Sequence, residues 1–192
     1  MLKQVSDKET EEILRIAGDS LASDGDFVEF GCYEGDTSLL LAEIIRKNPE
    51  KKLWIYDSFE GLPEKGAEDF SESGKNFQKG ELKVSKKYVK QRFLRANLPV
   101  PIIKKAWFNE LNPSSDLPEQ IGFAFLDGDL YDSIKTSLEL VAPKMAENSV
   151  IIVHDFFNSE LPGVTKAVEE FLDREKSFEF SRKFSLGILR KK

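Results

Sequence analysis

Short, mostly apolar segments alternate along the chain with stretches whose apolar residues recur every three or four positions. The first pattern is typical of buried strands and the second of amphipathic helices. The chain opens with a capping-box pattern, Ser6-x-x-Glu9, ahead of the first such helix. The sequence predicts strands at 26–30, 53–57, 100–104, 122–126 and 150–153, with helices at 37–47, 83–95, 131–144 and 162–172.

The end of the chain breaks this alternation. Segments 178–180 and 186–189 carry alternating apolar residues with no long helix between them, which favours an antiparallel pair. Repeated strand–helix units form parallel sheets that helices cover on both faces. We therefore expect an α/β protein whose mostly parallel sheet lies between two helical layers and carries one antiparallel edge strand.

One long segment, 59–83, separates the second strand from the next helix. It is rich in Glu, Lys, Gly and Ser, and it exceeds the ~12–15 residues of an ordinary connection. We interpret it as a mobile lid or substrate loop.

Composition limits the class of protein. The 192 residues suffice for one domain, and 40% hydrophobic with 32% charged residues is typical of a globular chain. A net charge of -6 argues against a nucleic-acid partner, and no segment approaches the ~20 apolar residues of a membrane helix. The sequence shows no signal-peptide pattern, and its single cysteine, Cys32, forms no disulfide within the chain. We expect a cytoplasmic protein, with a homodimer as one arrangement that stays open.

A glycine turn after the first strand indicates a nucleoside pocket. Gly31 and Gly35 follow a strand that carries Glu29, and Asp36 or Thr37 can cap the next helix. The spacing lacks the G-x-G-x-x-G arrangement that brings a pyrophosphate onto a helix N-terminus. A nucleoside without phosphates fits better. S-adenosylmethionine is such a nucleoside, and Glu29 could help to bind its cationic sulfonium and ammonium groups.

The second strand supports a cofactor over an ordinary turn. It ends in Asp57, where dinucleotide folds bind ribose hydroxyls. Trp107 and Phe108 are candidates to flank the adenine, with core packing as the alternative. Cys32 lies in the turn, and we interpret it as a small filler because no histidine is near it in sequence.

Polar residues also follow two later strands. Asp127 and Asp129 come after the 122–126 strand, and His154 with Asp155 after the next. Because the carboxyl ends of parallel strands meet at one rim, these groups repel one another unless a cation binds, and we infer a divalent metal. Carboxylates suit Mg²⁺, with Mn²⁺ or Ca²⁺ as options, whereas imidazole favours a transition ion. His154 could instead be a base, an orienting group or a strand-end structural residue, and Asp-Gly is also a common turn.

Four motifs carry a resemblance to a known family: Val28-Glu29-Phe30-Gly31 with Gly35, Tyr56-Asp57-Ser58-Phe59-Glu60-Gly61-Leu62-Pro63, Leu126-Asp127-Gly128-Asp129-Leu130-Tyr131, and Val153-His154-Asp155-Phe156 with Gly163-Val164-x-x-Ala167-Val168. They resemble the macrocin O-methyltransferase family, a branch of the class I S-adenosylmethionine-dependent methyltransferases. The second and third motifs are the specific ones, since the glycine turn marks only the superfamily.

The resemblance implies a Rossmann-like three-layer sandwich with a seven-stranded sheet whose last hairpin strand is antiparallel. Members of the family transfer a methyl group to a sugar hydroxyl with the help of Mg²⁺. By motif, Asp127 and Asp155 would be metal ligands, Asp129 the general base and Asp57 the ribose contact. His154 stands where the antibiotic enzymes carry a second Asp, so the resemblance does not fix the metal or the number of its protein ligands.

We therefore predict one methyltransferase domain over 1–192 that uses S-adenosylmethionine and Mg²⁺ to methylate a hydroxyl of a small molecule, a sugar or glycosylated metabolite. The predicted catalytic residues are Asp129 and His154, and the predicted metal ligands are Asp127, His154 and Asp155. The predicted cofactor contacts are Glu29, Gly31, Gly35, Thr37, Ser38, Asp57, Ser58, Trp107 and Asp127.

Two alternatives come from other functional classes. A D-x-D sequence, here 127–129, also binds the metal and the nucleotide sugar in glycosyltransferases. A domain that keeps the fold and cofactor could also serve as a non-catalytic module. A phenol or catechol acceptor is a variant of the first hypothesis.

Overall fold

The computed structural model describes residues 5–71 and 77–192, and a seven-stranded sheet forms its centre. The strands are β1 Asp26–Phe30, β2 Leu53–Asp57, β3 Ile102–Lys105, β4 Ile121–Leu126, β5 Met145–Val153, β6 Phe178–Lys183 and β7 Leu186–Lys191. Their spatial order is β3-β2-β1-β4-β5-β7-β6. Strands β1 to β5 pair in parallel, and β7 runs antiparallel to β5 and to β6.

The predicted fold class is confirmed. The reversed strand is β7, which lies between β5 and β6, so the edge of the sheet is formed by its hairpin partner β6. The order of the parallel strands reverses between β1 and β4, which are neighbours in space although β2 and β3 come between them in the chain. Open α/β sheets bind ligands at such a switch point, beyond the carboxyl ends of the strands.

Helices cover both faces of the sheet. They are α1 Asp7–Asp19, α2 Asp36–Ile45, α3 Lys86–Arg95, α4 Pro113–Asp116, α5 Tyr131–Val141 and α6 Pro162–Arg174. One apolar cluster joins α1, α2 and α3 to the sheet through Ile13, Leu41 and Val89. A second cluster joins α5 and α6 to the opposite face through residues that include Ile134 and Val164. The short α4 was not anticipated from the sequence.

The helix starts show where local signals hold. Ser6 and Glu9 form the predicted reciprocal capping box of α1. The prediction that Asp36 or Thr37 caps α2 is wrong, because the N-cap is Gly35, in a left-handed conformation and without a side-chain cap. This start places the backbone of the turn, and no capping side chain, beside the strand ends.

Backbone hydrogen bonds join the two ends of the described 59–83 segment. The Leu62 N–H donates to the Glu81 carbonyl, and the Gly80 N–H donates to the Leu62 carbonyl. The segment includes one turn of 3₁₀ helix at Ala67–Asp69. Residues 72–76, part of the predicted lid, lie outside the described residues, so its role as a lid stays a prediction.

Across residues 5–71 and 77–192, no helix combines the length and apolar character that crossing a membrane requires.

Candidate active site

A cavity of about 890 Å³ opens at the carboxyl ends of β1, β2, β4 and β5, beside the switch point. Small-molecule sites are usually concave pockets of about this size. Of the predicted site residues, Gly35 and Ser38 lie outside its lining. The others line it: Glu29, Gly31, Thr37, Asp57, Ser58, Trp107, Asp127, Asp129, His154 and Asp155.

The glycine turn is built by close approach between two strand ends. Gly31 has φ +82°, and a Cβ atom there would lie 2.1 Å from the carbonyl oxygen of Asp127. The Gly31 N–H donates to the Tyr56 carbonyl (2.9 Å), and the Asp127 N–H donates to the Phe30 carbonyl (2.8 Å). Only glycine fits at this position, because it tolerates both the left-handed backbone and the contact.

Asp57 organises this turn from the end of β2. One carboxylate oxygen accepts the N–H groups of Cys32 (2.9 Å) and Tyr33 (3.3 Å). The other accepts the N–H of Phe59 (2.7 Å). A carboxylate has about four lone-pair sites, so three are occupied by backbone and about one stays available to a ligand. Asp57 lies in the cavity as predicted, and it also holds the glycine turn and the start of the following loop.

Glu29 lines the cavity but is almost fully buried. Its side chain is 1% exposed, and the Ser38 hydroxyl donates to its carboxyl group. Burial raises the pKa of Glu29 to about 8; the hydrogen bond from Ser38 opposes the shift, and the negative charges of Asp127 and Asp57 add to it. Ser38, predicted as a cofactor contact, is fully buried and positions Glu29 from below.

Three candidate metal ligands lie together at the ends of β4 and β5. The His154 Nδ1 atom is 2.8 Å from Asp127 Oδ1 and 3.2 Å from Asp155 Oδ2. Burial lowers the pKa of His154, but the two carboxylates outweigh it and raise that pKa well above its usual range. The protonated imidazole pairs with the two carboxylates, and it would have to release its Nδ1 proton before that nitrogen could bind an ion. One ligand atom from each of the three residues lies within 4.8 Å of the others, so this nitrogen and oxygen donor set fits a divalent ion.

Asp129 completes the polar rim. Its backbone is left-handed, with φ +61°, and so is that of Asp155, with φ +58°. Such conformations are uncommon outside glycine, although Asp and Asn adopt them more readily than other residues. Burial raises the pKa of Asp129 well above its usual range, and the charges of Asp127 and Asp155 add to the effect.

The two aromatic candidates have different surroundings. Phe108 packs edge-on against Phe30, with ring centroids 5.1 Å apart, and it belongs to the surroundings of the core. Trp107 is partly buried as well, and both side chains line the cavity. Either ring therefore stays a candidate to flank the adenine, whereas Phe108 also supports the β1 strand end.

The model of the macrocin O-methyltransferase family (TylF) matches residues 8–179. The chain belongs to this family. The match covers the glycine turn, Asp57 and the whole acidic rim, so the resemblance of the four motifs is confirmed.

Two curated relatives are similar over much of the chain. One is the 8-demethyl-8-(2,3-dimethoxy-alpha-L-rhamnosyl)-tetracenomycin-C 4'-O-methyltransferase of Streptomyces olivaceus, 30% identical over 139 residues, which are 69% of this chain and 53% of the relative. The other is the demethyldecarbamoylnovobiocin O-methyltransferase of Streptomyces niveus, 27% identical over 154 residues, 77% of this chain and 58% of the relative. The chain thus spans a little over half the length of these family members.

The fold is also similar to a solved structure, that of the O-methyltransferase NovP. The TM-score is 0.83 at 24% sequence identity, and the similarity covers 96% of this chain and 79% of NovP. This similarity shows that the chain has the class I methyltransferase fold.

Several residues that line the cavity had no functional signal in the sequence. Asp69 is buried in the 59–83 segment, and Asp132, Ser133 and Thr136 lie on the first turns of α5. The family motifs that name Tyr131 and Gly163 give no reason for those two residues. In the structure both contact Asp69, a long-range relation that local patterns do not contain.

Proposed function

We propose that this chain is an S-adenosylmethionine-dependent O-methyltransferase that methylates a hydroxyl of a small molecule, a sugar or glycosylated metabolite. The observation that carries the proposal is that one cavity joins the glycine turn and Asp57 to the Asp127–His154–Asp155 group and to Asp129. Family membership supports methyl transfer, and both curated relatives are named as O-methyltransferases of natural products. A cytoplasmic location and Mg²⁺ belong to the same proposal.

Different residues of the cavity bind the cofactor, hold the ion and accept the proton. The backbone of the glycine turn, Asp57 and Trp107 bind and orient the cofactor, whose sulfonium supplies an activated methyl group. Asp127 and Asp155, with His154 beside them, would hold a divalent ion, which lowers the pKa of a coordinated hydroxyl. Asp129 takes the proton as the acceptor oxygen forms its bond to the methyl carbon and the carbon–sulfur bond breaks. Fixed alignment of this kind supplies ~7–11 kcal/mol of a barrier.

The charge of the cavity supports a neutral acceptor. Among the described residues that line it, the basic ones are Arg92 and His154. Arg92 is 2.6 Å from Asp36 Oδ1, and His154 lies between Asp127 and Asp155. Neither basic side chain is therefore free to face the diphosphate of a nucleotide sugar, whose binding would depend on the divalent ion alone. This favours an uncharged glycoside.

Cofactor binding is the first test of the proposal. We expect S-adenosylhomocysteine, the product of methyl transfer, to bind the purified protein with micromolar affinity in a calorimetric titration. Trp107→Leu should weaken that binding about twofold to tenfold, because one aromatic contact contributes ~0.5–1.5 kcal/mol beyond area burial. Trp54→Phe is the matched control. Trp54 lies near the start of β2, at the end of the strand away from the cavity, where its indole N–H donates to Asp26. A folded protein that does not bind S-adenosylhomocysteine would overturn the proposed function.

Metal binding is tested separately. We expect the protein to bind one Mn²⁺ ion, as measured by electron paramagnetic resonance. Asp127→Asn should weaken Mn²⁺ binding at least tenfold, because the variant replaces a carboxylate ligand with a neutral amide. Asp173→Asn removes the same charge from an exposed position on α6 and should leave the affinity unchanged. Equal Mn²⁺ affinities in all three proteins would show that the acidic group is not the metal site. His154→Gln then distinguishes a ligand, whose loss weakens binding, from an orienting residue.

A further inference from the structure

A buried carboxylate in the 59–83 segment has two backbone partners and no role in the chemistry above. Asp69 is 2% exposed. One of its oxygens accepts the N–H of Tyr131 (2.7 Å), and the other accepts the N–H of Gly66 (3.1 Å). A buried carboxylate is costly unless it is hydrogen-bonded in this way. The side chain therefore joins the segment after β2 to the first residue of α5.

Gly163 makes room for this carboxylate. A Cβ atom at Gly163, in the first turn of α6, would lie 2.0 Å from Asp69 Oδ1 and 2.8 Å from the Tyr131 Cβ. Real Cβ atoms do not approach other atoms so closely, so any larger residue would displace Asp69 or the helix. Gly163 and Tyr131, which stand in two of the four motifs, therefore share Asp69 as a neighbour.

Asp69 also completes the start of α5. The N-cap of this helix is Leu130, which makes no side-chain cap, so the buried Tyr131 N–H donates instead to Asp69, from a distant part of the chain. Immediately before, the Leu130 N–H donates to the Gly128 carbonyl (2.7 Å) in a tight turn around Asp129. The carboxylate of Asp69 thus fixes the end of the turn that carries the proposed base.

We propose that Asp69 is a positioning residue: it holds residues 61–71 against α5 and α6, and thereby fixes both a wall of the cavity and the turn that carries Asp129. The segment supplies Gly61, Leu62, Pro63 and Glu64 to the cavity lining. The relevance of this anchor to catalysis rests on the proposed function, but the anchor itself can be tested without turnover.

The test compares Asp69→Ala with Phe70→Ala, a change at the next residue, whose side chain is 85% exposed and outside the cavity lining. In Asp69→Ala we expect amide exchange to accelerate at least tenfold at residues 61–71 and 128–133, with the β-sheet amides unchanged. We also expect S-adenosylhomocysteine to bind about tenfold more weakly at a temperature well below Tm. Phe70→Ala should match the wild type in both measurements. If Asp69→Ala does not fold, Asp69→Asn serves in its place: it keeps the volume but only one acceptor oxygen, so exchange should accelerate on the side, residues 61–71 or 128–133, whose N–H loses its acceptor.

Gly163→Ala provides the second arm. Its loss of Tm should be smaller in the Asp69→Ala background than in the wild type, because two of the three atoms that crowd the new methyl group belong to the Asp69 carboxylate and have been removed. Additive losses of Tm, or unchanged exchange and unchanged affinity in Asp69→Ala, would overturn the inference. Absence of S-adenosylhomocysteine binding by the wild type would instead overturn the proposed function, and the exchange data would still decide whether Asp69 anchors the segment.

Discussion

Asp129→Asn is expected to reduce methyl transfer by roughly 10²–10⁴-fold, the usual contribution of a general base. The side chain lines the cavity beside the Asp127–His154–Asp155 group, where an acceptor hydroxyl would lose its proton. Asn is the sharpest substitution because it keeps the shape of Asp and tolerates the left-handed backbone at φ +61°. The measurement is the rate of S-adenosylhomocysteine release at saturating Mg²⁺, with a panel of neutral glycosides as acceptors.

The control for this prediction must separate chemistry from charge. Asp173→Asn removes one negative charge from an exposed helical position and should retain the wild-type rate. Asp129→Asn should also retain the affinity for S-adenosylhomocysteine, since the lost group acts on the acceptor. Near-normal turnover of Asp129→Asn would sink the assignment of the base and leave the divalent ion and alignment to carry the reaction.

The outline of the site follows from the sequence because strand ends are readable. Asp57 and Asp127 come directly after a run of apolar residues and Asp155 follows one residue further on, and parallel strands bring such ends to one rim. The glycine turn is equally local, since Gly31 supplies a positive φ. Fold class and the position of the cavity could therefore be predicted without any knowledge of side-chain packing.

The parts that could not be predicted depend on contacts between distant segments. Asp69 looks like any other acidic residue of a polar loop, and only the tertiary structure places it on Tyr131, 62 positions away. Ser38 has the sequence position of a cofactor contact, yet the helix turns it inward onto Glu29. Capping rules failed at α2 because the turn is fixed by Asp57 from a neighbouring strand.

The wild-type protein is expected to lose stability as the pH rises because of Glu29, and Glu29→Gln is expected to abolish this pH dependence. The pKa of Glu29 rises from 4.5 to about 8 on folding, chiefly through burial. Between these values the folded protein keeps a proton that the unfolded chain has released, so the free energy of unfolding falls as the pH increases. A shift of this size corresponds to about 5 kcal/mol at a pH above both values. Gln resembles the protonated carboxyl and can still accept from the Ser38 hydroxyl.

The measurement is urea unfolding of both proteins at about pH 6 and about pH 9, with a chelator present. Other titrating groups are common to the two proteins, so the difference between their pH profiles isolates Glu29. We expect the variant to gain stability relative to the wild type by several kcal/mol at the higher pH. Parallel profiles would show instead that Glu29 is ionised in the fold. In that case its charge would be available, without proton release, to the cationic groups of the proposed cofactor.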